Sequence, residues 1–451
     1  METETTVDVA TLIDTRGIGR SQWMVIVLCG LVALLDGLDL QSIGLAAPII
    51  RQQLNVPPQS LGLIFSAALA GLAIGAFTLG PVADRIGRKG VLIAATICFG
   101  CFTIATAYAG TFDRLLACRF LAGLGLGGAM PSFISLASEY VPTKRRAAVV
   151  SLLWAAFPLG GVAGGLMASR MIPAYGWHSI FLVGGIIPLI IALLLIVALP
   201  ESAAFMINRG QPGVRIADTL RRMFPGVTIT DDAVFVMRRE EAGRVAVGEL
   251  FAAGRGYGTV LLWIAFFFAF MILVTNSSWS PSLLRNLGVP VERSAVALAM
   301  FNFGSLFGSA AAGVLIAAFG PVWVLGLTMI GGAIAYALVG FAAPSIADIT
   351  IAQAAFGVLL GCASSGLIAL AAIYYPSAIR STGVGWATAV GRFGSFVGPL
   401  AVGILLAHHW PVHAIFVAVG GSILIGALAC LLMPRRKYEA GAVGQVADMP
   451  H

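Results

Sequence analysis

Twelve long apolar stretches divide this chain, and shorter polar segments separate each stretch from the next. Most stretches reach about 20 residues, the length that an α-helix needs to cross the hydrocarbon core of a bilayer. The pattern therefore predicts an all-α integral membrane protein with twelve transmembrane helices. The predicted spans cover residues 22–50, 60–83, 90–109, 114–139, 147–170, 178–199, 258–284, 294–317, 322–343, 348–373, 382–406 and 413–433.

The composition agrees with a lipid environment. Of the 451 residues, 59% are hydrophobic and 10% are charged, and the mean hydropathy is +0.95. Soluble domains contain about 25% charged residues on average. The start of the chain is acidic and lacks a short apolar core before a cleavage site, so it does not resemble a secretory signal. Residues 1–20 are expected to form a short tail.

Basic residues assign the loops to the two sides of the membrane, because basic loops stay in the cytoplasm. Most Lys and Arg residues lie on the same side as the two termini, which are therefore expected to be cytoplasmic. Topology then accounts for the net charge of +7, and a nucleic-acid partner is not implied. The opposite side holds five arginines: Arg51, Arg114, Arg170, Arg285 and Arg293.

The chain divides into two halves with six predicted spans each. The predicted divisions are a tail at 1–20, a six-helix bundle at 21–199, a cytoplasmic loop at 200–256, a second six-helix bundle at 257–433 and a cytoplasmic tail at 434–451. Parallel repeats of this kind are typical of transporters that bind substrate near the midplane. A shift of 233 places Gly71, Gly75, Gly80 and Gly87 on Gly304, Gly308, Gly313 and Gly320, and a shift of 234 places Gly127, Pro142 and Arg146 on Gly361, Pro376 and Arg380.

Two carboxylates, Asp36 and Asp39, lie near the middle of the first predicted span. A charge at the bilayer centre costs roughly 2.5–3.5 kcal/mol on insertion scales, so such acids usually face a partner, a cavity or a proton path. Residues three apart share a helix face, so both acids can face one cavity. The pair is predicted to carry protons. The alternative is a neutral, hydrogen-bonded pair that only packs helices together.

A charged loop follows the second predicted span. The run from Gly80 to Lys89 fits the pattern G-x-x-x-D-[RK]-x-G-[RK]-[RK], a signature of the major facilitator superfamily. Its Asp84 can accept backbone hydrogen bonds at a neighbouring helix N-terminus and pair with basic residues. The loop after the eighth span lacks these charges, which predicts a one-sided latch. The gating candidates are Gly80, Asp84, Arg85, Gly87, Arg88, Glu139, Arg146 and Arg380.

Two arginines within predicted spans are candidates for binding an anionic substrate. A guanidinium binds a carboxylate in bidentate fashion and stays charged at any working pH. Arg119 could pair with Asp36 or Asp39 when the site is empty, or it could reach the outer interface instead. Arg392 lies deep in the eleventh span, where the alternative to a substrate or gating role is a structural ion pair.

Other polar or aromatic residues at membrane depth complete the predicted substrate site: Asn276, Gln353 and Trp386. Buried amides are more often contacts between helices than ligands of a substrate, whereas Trp386 could stack on a ring. Histidines and cysteines form no metal-binding or nucleophile–base pattern, so neither an enzyme nor a resident cofactor or metal is expected.

Three segments together resemble the aromatic acid:proton symporter family within the major facilitator superfamily. They are the Asp36-Gly37-Leu38-Asp39 motif, the loop at 80–89, and the run from Tyr375 through Arg392 to Gly394. The resemblance implies a carrier in the inner membrane of a bacterium, and a monomer is expected. It also implies uptake of benzoate-like acids, such as hydroxybenzoate or protocatechuate, driven by the proton gradient.

Two other functions stay open from the sequence. An exporter could use the same acids to exchange another small molecule for protons. A membrane sensor could bind an aromatic acid without moving it.

Overall fold

Twelve long helices occupy the predicted positions in the computed structural model, which describes residues 6–57, 59–224, 233–236, 247–252, 254–376 and 379–434. This confirms the all-α membrane architecture. The spans, numbered first to twelfth along the chain, are Arg20–Gln53, Ser60–Ile86, Arg88–Ala107, Phe112–Glu139, Thr143–Tyr175, His178–Ala198, Gly256–Asn286, Val291–Phe319, Pro321–Phe341, Ile346–Tyr374, Arg380–Ala407 and Val412–Leu431.

Hydroxyl side chains cap the starts of the fourth and tenth spans. The Thr111 side chain accepts a hydrogen bond from the Arg114 amide and begins the fourth span. Ser345 caps the tenth span in the same way. The observed fifth span, Thr143–Tyr175, is longer than the predicted 147–170.

The contacts within the described chain define two compact units. The first contains Met1–Asp39, Ala67–Gly160 and Tyr175–Glu241, and the second contains Leu40–Ser66, Gly161–Ala174 and Ala242–His451. The first, second and fifth spans contribute residues to both units. The division into bundles at 21–199 and 257–433 stays a prediction.

Six of the ten glycines in the repeat alignment are packing positions. In the first unit they let the second and fourth spans approach closely, and in the second unit they do the same for the eighth and tenth. A side chain at any of them would meet a carbonyl oxygen of the facing helix, and the facing residues are themselves one repeat apart. The pairs are Gly71 with Phe120, Gly75 with Leu124 and Gly127 with Leu72, matched by Gly304 with Ala354, Gly308 with Val358 and Gly361 with Ser305.

The segment before the first span differs from the expected plain tail. Thr6–Asp8 is a strand that pairs in parallel with Val234–Val236, and Val9–Asp14 is a short helix. Val9 and Ile13 are fully buried, and they belong to the same apolar cluster as residues of the helix Gly213–Met223. Four residues separate Val9 from Ile13, so both lie on one face of the helix.

Hydrogen bonds join this N-terminal segment to the start of the fifth span. The two carboxylate oxygens of Asp14 accept from the Thr143 amide at 2.7 Å and from its hydroxyl at 3.0 Å. A carboxylate at a helix N-terminus is favourable because it meets unpaired amides and the positive end of the helix dipole.

The central loop holds further short elements: the helices Ala203–Asn208 and Gly213–Met223, the strand Val234–Val236 and the 3₁₀-helix Val247–Leu250. Parts of the predicted 200–256 loop, and the predicted 434–451 tail apart from residue 434, lie outside the described residues.

Candidate functional site

The two acids of the first span have different surroundings. Asp39 is paired with Arg119 of the fourth span in a bidentate arrangement: Nη1 donates to Oδ1 at 2.9 Å, and Nη2 donates to Oδ2. Both side chains are buried, with 1% of Arg119 and 4% of Asp39 exposed. Of the two partners considered for Arg119 from the sequence, the structure pairs it with Asp39.

The burial of Arg119 argues against a side chain that extends to the outer interface. Its guanidinium carbon lies 5.7 Å from the centre of the Phe181 ring, and its Nε has no hydrogen-bond partner among the residues that the structure describes. A buried ion pair is held by its geometry, and removing either partner leaves an uncompensated charge. Arg119 therefore depends on Asp39, or on another anion in its place, for neutralisation.

Asp36 faces a different environment in the same unit. It is the one ionisable residue among the described residues that line a small apolar pocket between the first, fourth and fifth spans. The other lining residues are apolar or aromatic: Ala33, Met130, Phe133, Ile134, Leu153, Trp154 and Phe157. The sequence reading overlooked these aromatic residues, although the spacing of Trp154 and Phe157 along the fifth span places them on one face.

The predicted amides of the second unit bind each other. Asn276 Nδ2 donates to Gln353 Oε1 at 3.2 Å, and Gln353 Nε2 donates back to Asn276 Oδ1 at 3.1 Å and to Ser280 Oγ at 2.8 Å. Both amides are fully buried, so this network joins the seventh and tenth spans in the present conformation. A substrate would reach the amides only after these hydrogen bonds rearranged.

The other two predicted substrate-binding residues lie on the eleventh span. Trp386 is 43% exposed and stacks on Trp263 of the seventh span, with ring centres 6.0 Å apart. Arg392 is half-buried.

Gln41 is a buried polar residue that the sequence reading did not single out. Its Nε2 donates to Ser277 Oγ at 3.4 Å, while the Ser277 hydroxyl donates to the Leu273 carbonyl. Within the described part of the chain, Gln41 Oε1 has no hydrogen-bond partner, although the residue is only 1% exposed. An unpaired buried acceptor destabilises the arrangement that contains it.

The charged loop after the second span forms a cluster within the first unit. The Arg88 guanidinium contacts the Glu139 carboxylate, and the Ser202 hydroxyl donates to the other oxygen of Glu139. Glu139 is buried, and the ion pair together with the hydrogen bond compensates the burial of its charge. The structure thus brings together two predicted gating residues, Arg88 and Glu139.

The sequence predicted that Asp84 would accept backbone hydrogen bonds at the start of a neighbouring helix, but Glu201 accepts them instead. Its Oε1 accepts from the backbone amides of Arg88 at 3.1 Å, Lys89 at 3.2 Å and Ser202 at 2.8 Å. Asp84 is 71% exposed and approaches Arg88 at 3.5 Å. Glu201 lies far away in the sequence, in a Pro-Glu-Ser run after the sixth span, so the loop motif gave no sign of it.

Gly87 allows the Glu201 carboxylate to come close to the backbone at the start of the third span. Its φ of +108° is rare for residues with a side chain, and a Cβ there would meet the Glu201 carboxylate. The remaining gating candidates are less enclosed. Arg146 donates to the Val141 carbonyl at 3.3 Å, a Cβ at Gly80 would meet no neighbouring atom within 4 Å, and Arg85 and Arg380 are exposed.

Among the described residues, no group of three or more His, Cys, Asp or Glu side chains is arranged to hold a metal ion.

The family model of the Major Facilitator Superfamily matches residues 29–298 and 261–448 of the chain. Several transporters are similar over most of their length. The chain is 38% identical to the 4-hydroxybenzoate transporter PcaK of Pseudomonas putida, covering 91% of this chain and 92% of that protein. It is 34% identical to the gallate transporter of Pseudomonas putida, covering 96% of each.

A third relative and a solved structure extend the comparison. The chain is 30% identical to the benzoate transport protein of Acinetobacter baylyi, covering 98% of this chain and 96% of that protein. The inward open structure of the xylose transporter XylE from E. coli shares the fold, with a TM-score of 0.72, 18% identity and coverage of 94% and 99%. The chain belongs to the major facilitator superfamily, and it is a multi-pass membrane transporter rather than an enzyme.

Proposed function

We propose that the protein imports an aromatic carboxylic acid together with protons, by alternating access. The observation that carries this proposal is the buried, bidentate pair of Asp39 and Arg119. In this pair, Asp39 can accept a proton, and the guanidinium of Arg119 has the geometry to bind a carboxylate.

The names of the relatives support the substrate class. Relatives at 30–38% identity are named for 4-hydroxybenzoate, gallate and benzoate, which all carry a carboxylate on an aromatic ring. We therefore propose a benzoate-like acid, such as hydroxybenzoate or protocatechuate, as the substrate.

Protonation of Asp39 is the step that would free Arg119. An ionised carboxylate accepts both guanidinium hydrogen bonds, but a protonated carboxyl carries no charge to neutralise the cation. A proton taken up from outside would therefore weaken the pair. Arg119 could then bind the substrate carboxylate, with Arg392 as the other candidate for this role.

Asp36 is proposed as a second proton carrier. Asn276, Gln353 and Trp386 are proposed to contact the substrate once their present contacts rearrange. Neutralised acids and an occupied arginine remove net charge from the membrane interior, which lowers the barrier to the conformational change.

The cluster of Arg88, Glu139 and Glu201 is proposed to hold the cytoplasmic ends of its helices in one of the conformations of the cycle. Asp84, Arg85, Arg146 and Arg380 would add charge contacts as the gate changes state. We also propose that the protein is a monomer in a bacterial inner membrane with both termini in the cytoplasm; the distribution of basic residues supports the orientation.

Uptake into proteoliposomes tests this function. Labelled 4-hydroxybenzoate, benzoate and an aliphatic acid are supplied with an inward proton gradient, without a gradient, and with an uncoupler. We expect gradient-driven accumulation of the aromatic acids, abolished by Asp39→Asn and by Arg119→Ala, and strongly reduced by Asp36→Asn.

Asp113→Asn is the matched control, because Asp113 is an exposed acid on the same helix as Arg119. It should transport at the wild-type rate. Accumulation that ignores the proton gradient would refute proton coupling. Binding without accumulation would instead indicate a sensor, and outward movement of the substrate against entering protons would indicate an exporter.

A further inference from the structure

The loop between the fourth and fifth spans is buried. Glu139 ends the fourth span, Thr143 begins the fifth, and residues 140–142 between them are all buried. Connecting segments normally lie on the protein surface, because their backbone groups need hydrogen-bond partners. This loop must therefore receive its partners from other parts of the chain.

Gln22, in the first turn of the first span, supplies one of these partners. Its Nε2 donates to the Tyr140 carbonyl, and its Oε1 accepts from the Gly19 amide at 2.6 Å. A glutamine that reaches back to the amide three residues before it forms one half of a capping box. The carbonyl end of Gln22 thus caps the first span, while its amide end binds the loop. Gln22 is 1% exposed, so water cannot readily replace either hydrogen bond.

Asp14 binds the other end of the same loop, where its carboxylate accepts from the amide and the hydroxyl of Thr143. The segment that carries Asp14 is anchored by distant residues. Thr6–Asp8 pairs with Val234–Val236, and Val9 is fully buried in the apolar cluster that includes Tyr140. The N-terminal segment is therefore a fixed support for the loop within the first unit.

The loop also contacts the charged cluster of Arg88, Glu139 and Glu201. Glu139 contacts the Arg88 guanidinium, and the Tyr140 hydroxyl donates to the carbonyl oxygen of Glu201. The Glu201 carboxylate accepts in turn from the amides of Arg88 and Lys89. A displaced loop would therefore disturb both acids of the cluster through a continuous series of hydrogen bonds.

We propose that residues 6–22 form an N-terminal clamp that positions this loop, and with it the Glu139 carboxylate. Gln22 and Asp14 are its positioning residues, because they act on Glu139 through the loop. The inference rests on the proposed function and adds to it the element that holds the gating cluster in its present arrangement.

Hydrogen exchange of the full-length protein in detergent measures whether the clamp acts on the cluster. The amides of Arg88 and Lys89 lie at the start of the third span, where an amide has no partner within its helix, so their protection depends on Glu201. We expect Gln22→Met and Asp14→Ala each to speed exchange of these amides about two- to tenfold, the range of one lost hydrogen bond. The two variants break different contacts, so if thermal unfolding shows that one fails to fold, the other decides.

Two further variants are matched controls. Ser21→Ala removes the hydrogen bond from Ser21 to the Arg222 carbonyl, which does not involve the loop. Asp14→Asn keeps an oxygen that can accept from the Thr143 amide. Both should leave exchange at Arg88 and Lys89 at the wild-type rate.

Faster exchange that is confined to residues 6–22 and 140–143 would overturn the inference, because the clamp would then hold only the loop. An equal increase in the tenth span, which belongs to the other unit, would overturn it as well, because it would show a general loss of stability.

Uptake of 4-hydroxybenzoate into proteoliposomes connects the clamp to transport. Gln22→Met should lower the maximal uptake rate about twofold or more, because a loop without its support returns Glu139 to Arg88 more slowly in each cycle. Ser21→Ala should transport at the wild-type rate. Faster exchange at Arg88 and Lys89 with an unchanged uptake rate in Gln22→Met would overturn the role in gating. If the wild type takes up no aromatic acid, the proposed function fails, and the exchange rates alone decide whether the clamp positions the loop.

Discussion

At the scale of single residues, the pair of Asp39 and Arg119 shows what residue spacing along a helix can predict about an ion pair and what it cannot. The sequence placed both acids on one face and left two partners open for Arg119. Which acid meets the guanidinium depends on how the fourth span is rotated against the first, and helix rotation is set by packing. The structure pairs Arg119 with Asp39 and leaves Asp36 to the aromatic pocket.

Removing one partner of this pair should destabilise the protein more than neutralising both. Asp39→Asn or Arg119→Ala leaves a buried group uncompensated, and we expect each to cost about 3–5 kcal/mol. The double variant Asp39→Asn/Arg119→Gln has no buried charge at the site and should recover much of that loss. Thermal unfolding in detergent measures all three, and equal losses in the singles and the double would contradict an interacting pair.

Glu201 should matter more for stability than Asp84, the acid of the loop motif. Glu201→Ala removes an acceptor of three backbone amides, which we expect to cost about 1–3 kcal/mol. Asp84→Ala removes an exposed contact, and its effect should stay below about 0.5 kcal/mol. The midpoint temperatures of thermal unfolding of the two variants show which substitution destabilises the protein more. A larger effect of Asp84→Ala would be inconsistent with the hydrogen bonds described.

At the scale of helices, the number and approximate position of the spans could be predicted because each apolar stretch is long enough to cross a bilayer. The spacing of glycines also predicted the repeat. Their partners could not be predicted, because a glycine marks a possible close approach without naming the facing helix. Only the packed structure shows that Gly75 and Gly308 meet repeat-related carbonyls.

Gly308 and Gly313 should respond in opposite ways to the same substitution. A Cβ at Gly308 would overlap the backbone of the tenth span, so Gly308→Ala should destabilise by about 1–3 kcal/mol. Gly313 has nothing within 4 Å, and alanine there should be neutral or stabilising by up to about 1 kcal/mol.

Thermal unfolding compares the two variants directly. The first half offers an internal replicate, because Gly75→Ala should resemble Gly308→Ala, and Gly80→Ala should resemble Gly313→Ala. Equal behaviour of all four variants would show that close approach does not limit these positions.

At the scale of the whole molecule, the sequence indicated the membrane class, the family and two groups of six spans, but it missed the structure outside the membrane. The helix Val9–Asp14 has under two turns, which is too short for a periodic apolar pattern. The strand Thr6–Asp8 before it pairs with Val234–Val236, which lies more than 200 residues away along the chain. Short segments that are stabilised only by distant contacts leave little local signal.

Asp14→Ala should loosen the N-terminal segment. It removes both hydrogen bonds to Thr143, and the loss of a helix cap costs about 1 kcal/mol. Hydrogen exchange of the amides in Val9–Asp14 should become faster. Asp218→Ala is the control, because Asp218 is an exposed acid that pairs with Arg221. Unchanged exchange in Asp14→Ala would show that this contact does not hold the segment.

The strand Thr6–Asp8 has a practical consequence for anyone who labels this protein. A fluorescent reporter or affinity tag fused directly before the strand would crowd its pairing with Val234–Val236. A flexible spacer would keep the appended domain away from that pairing. Comparing the same reporter with and without a spacer would show how strongly a bulky fusion disturbs the pairing of the two strands.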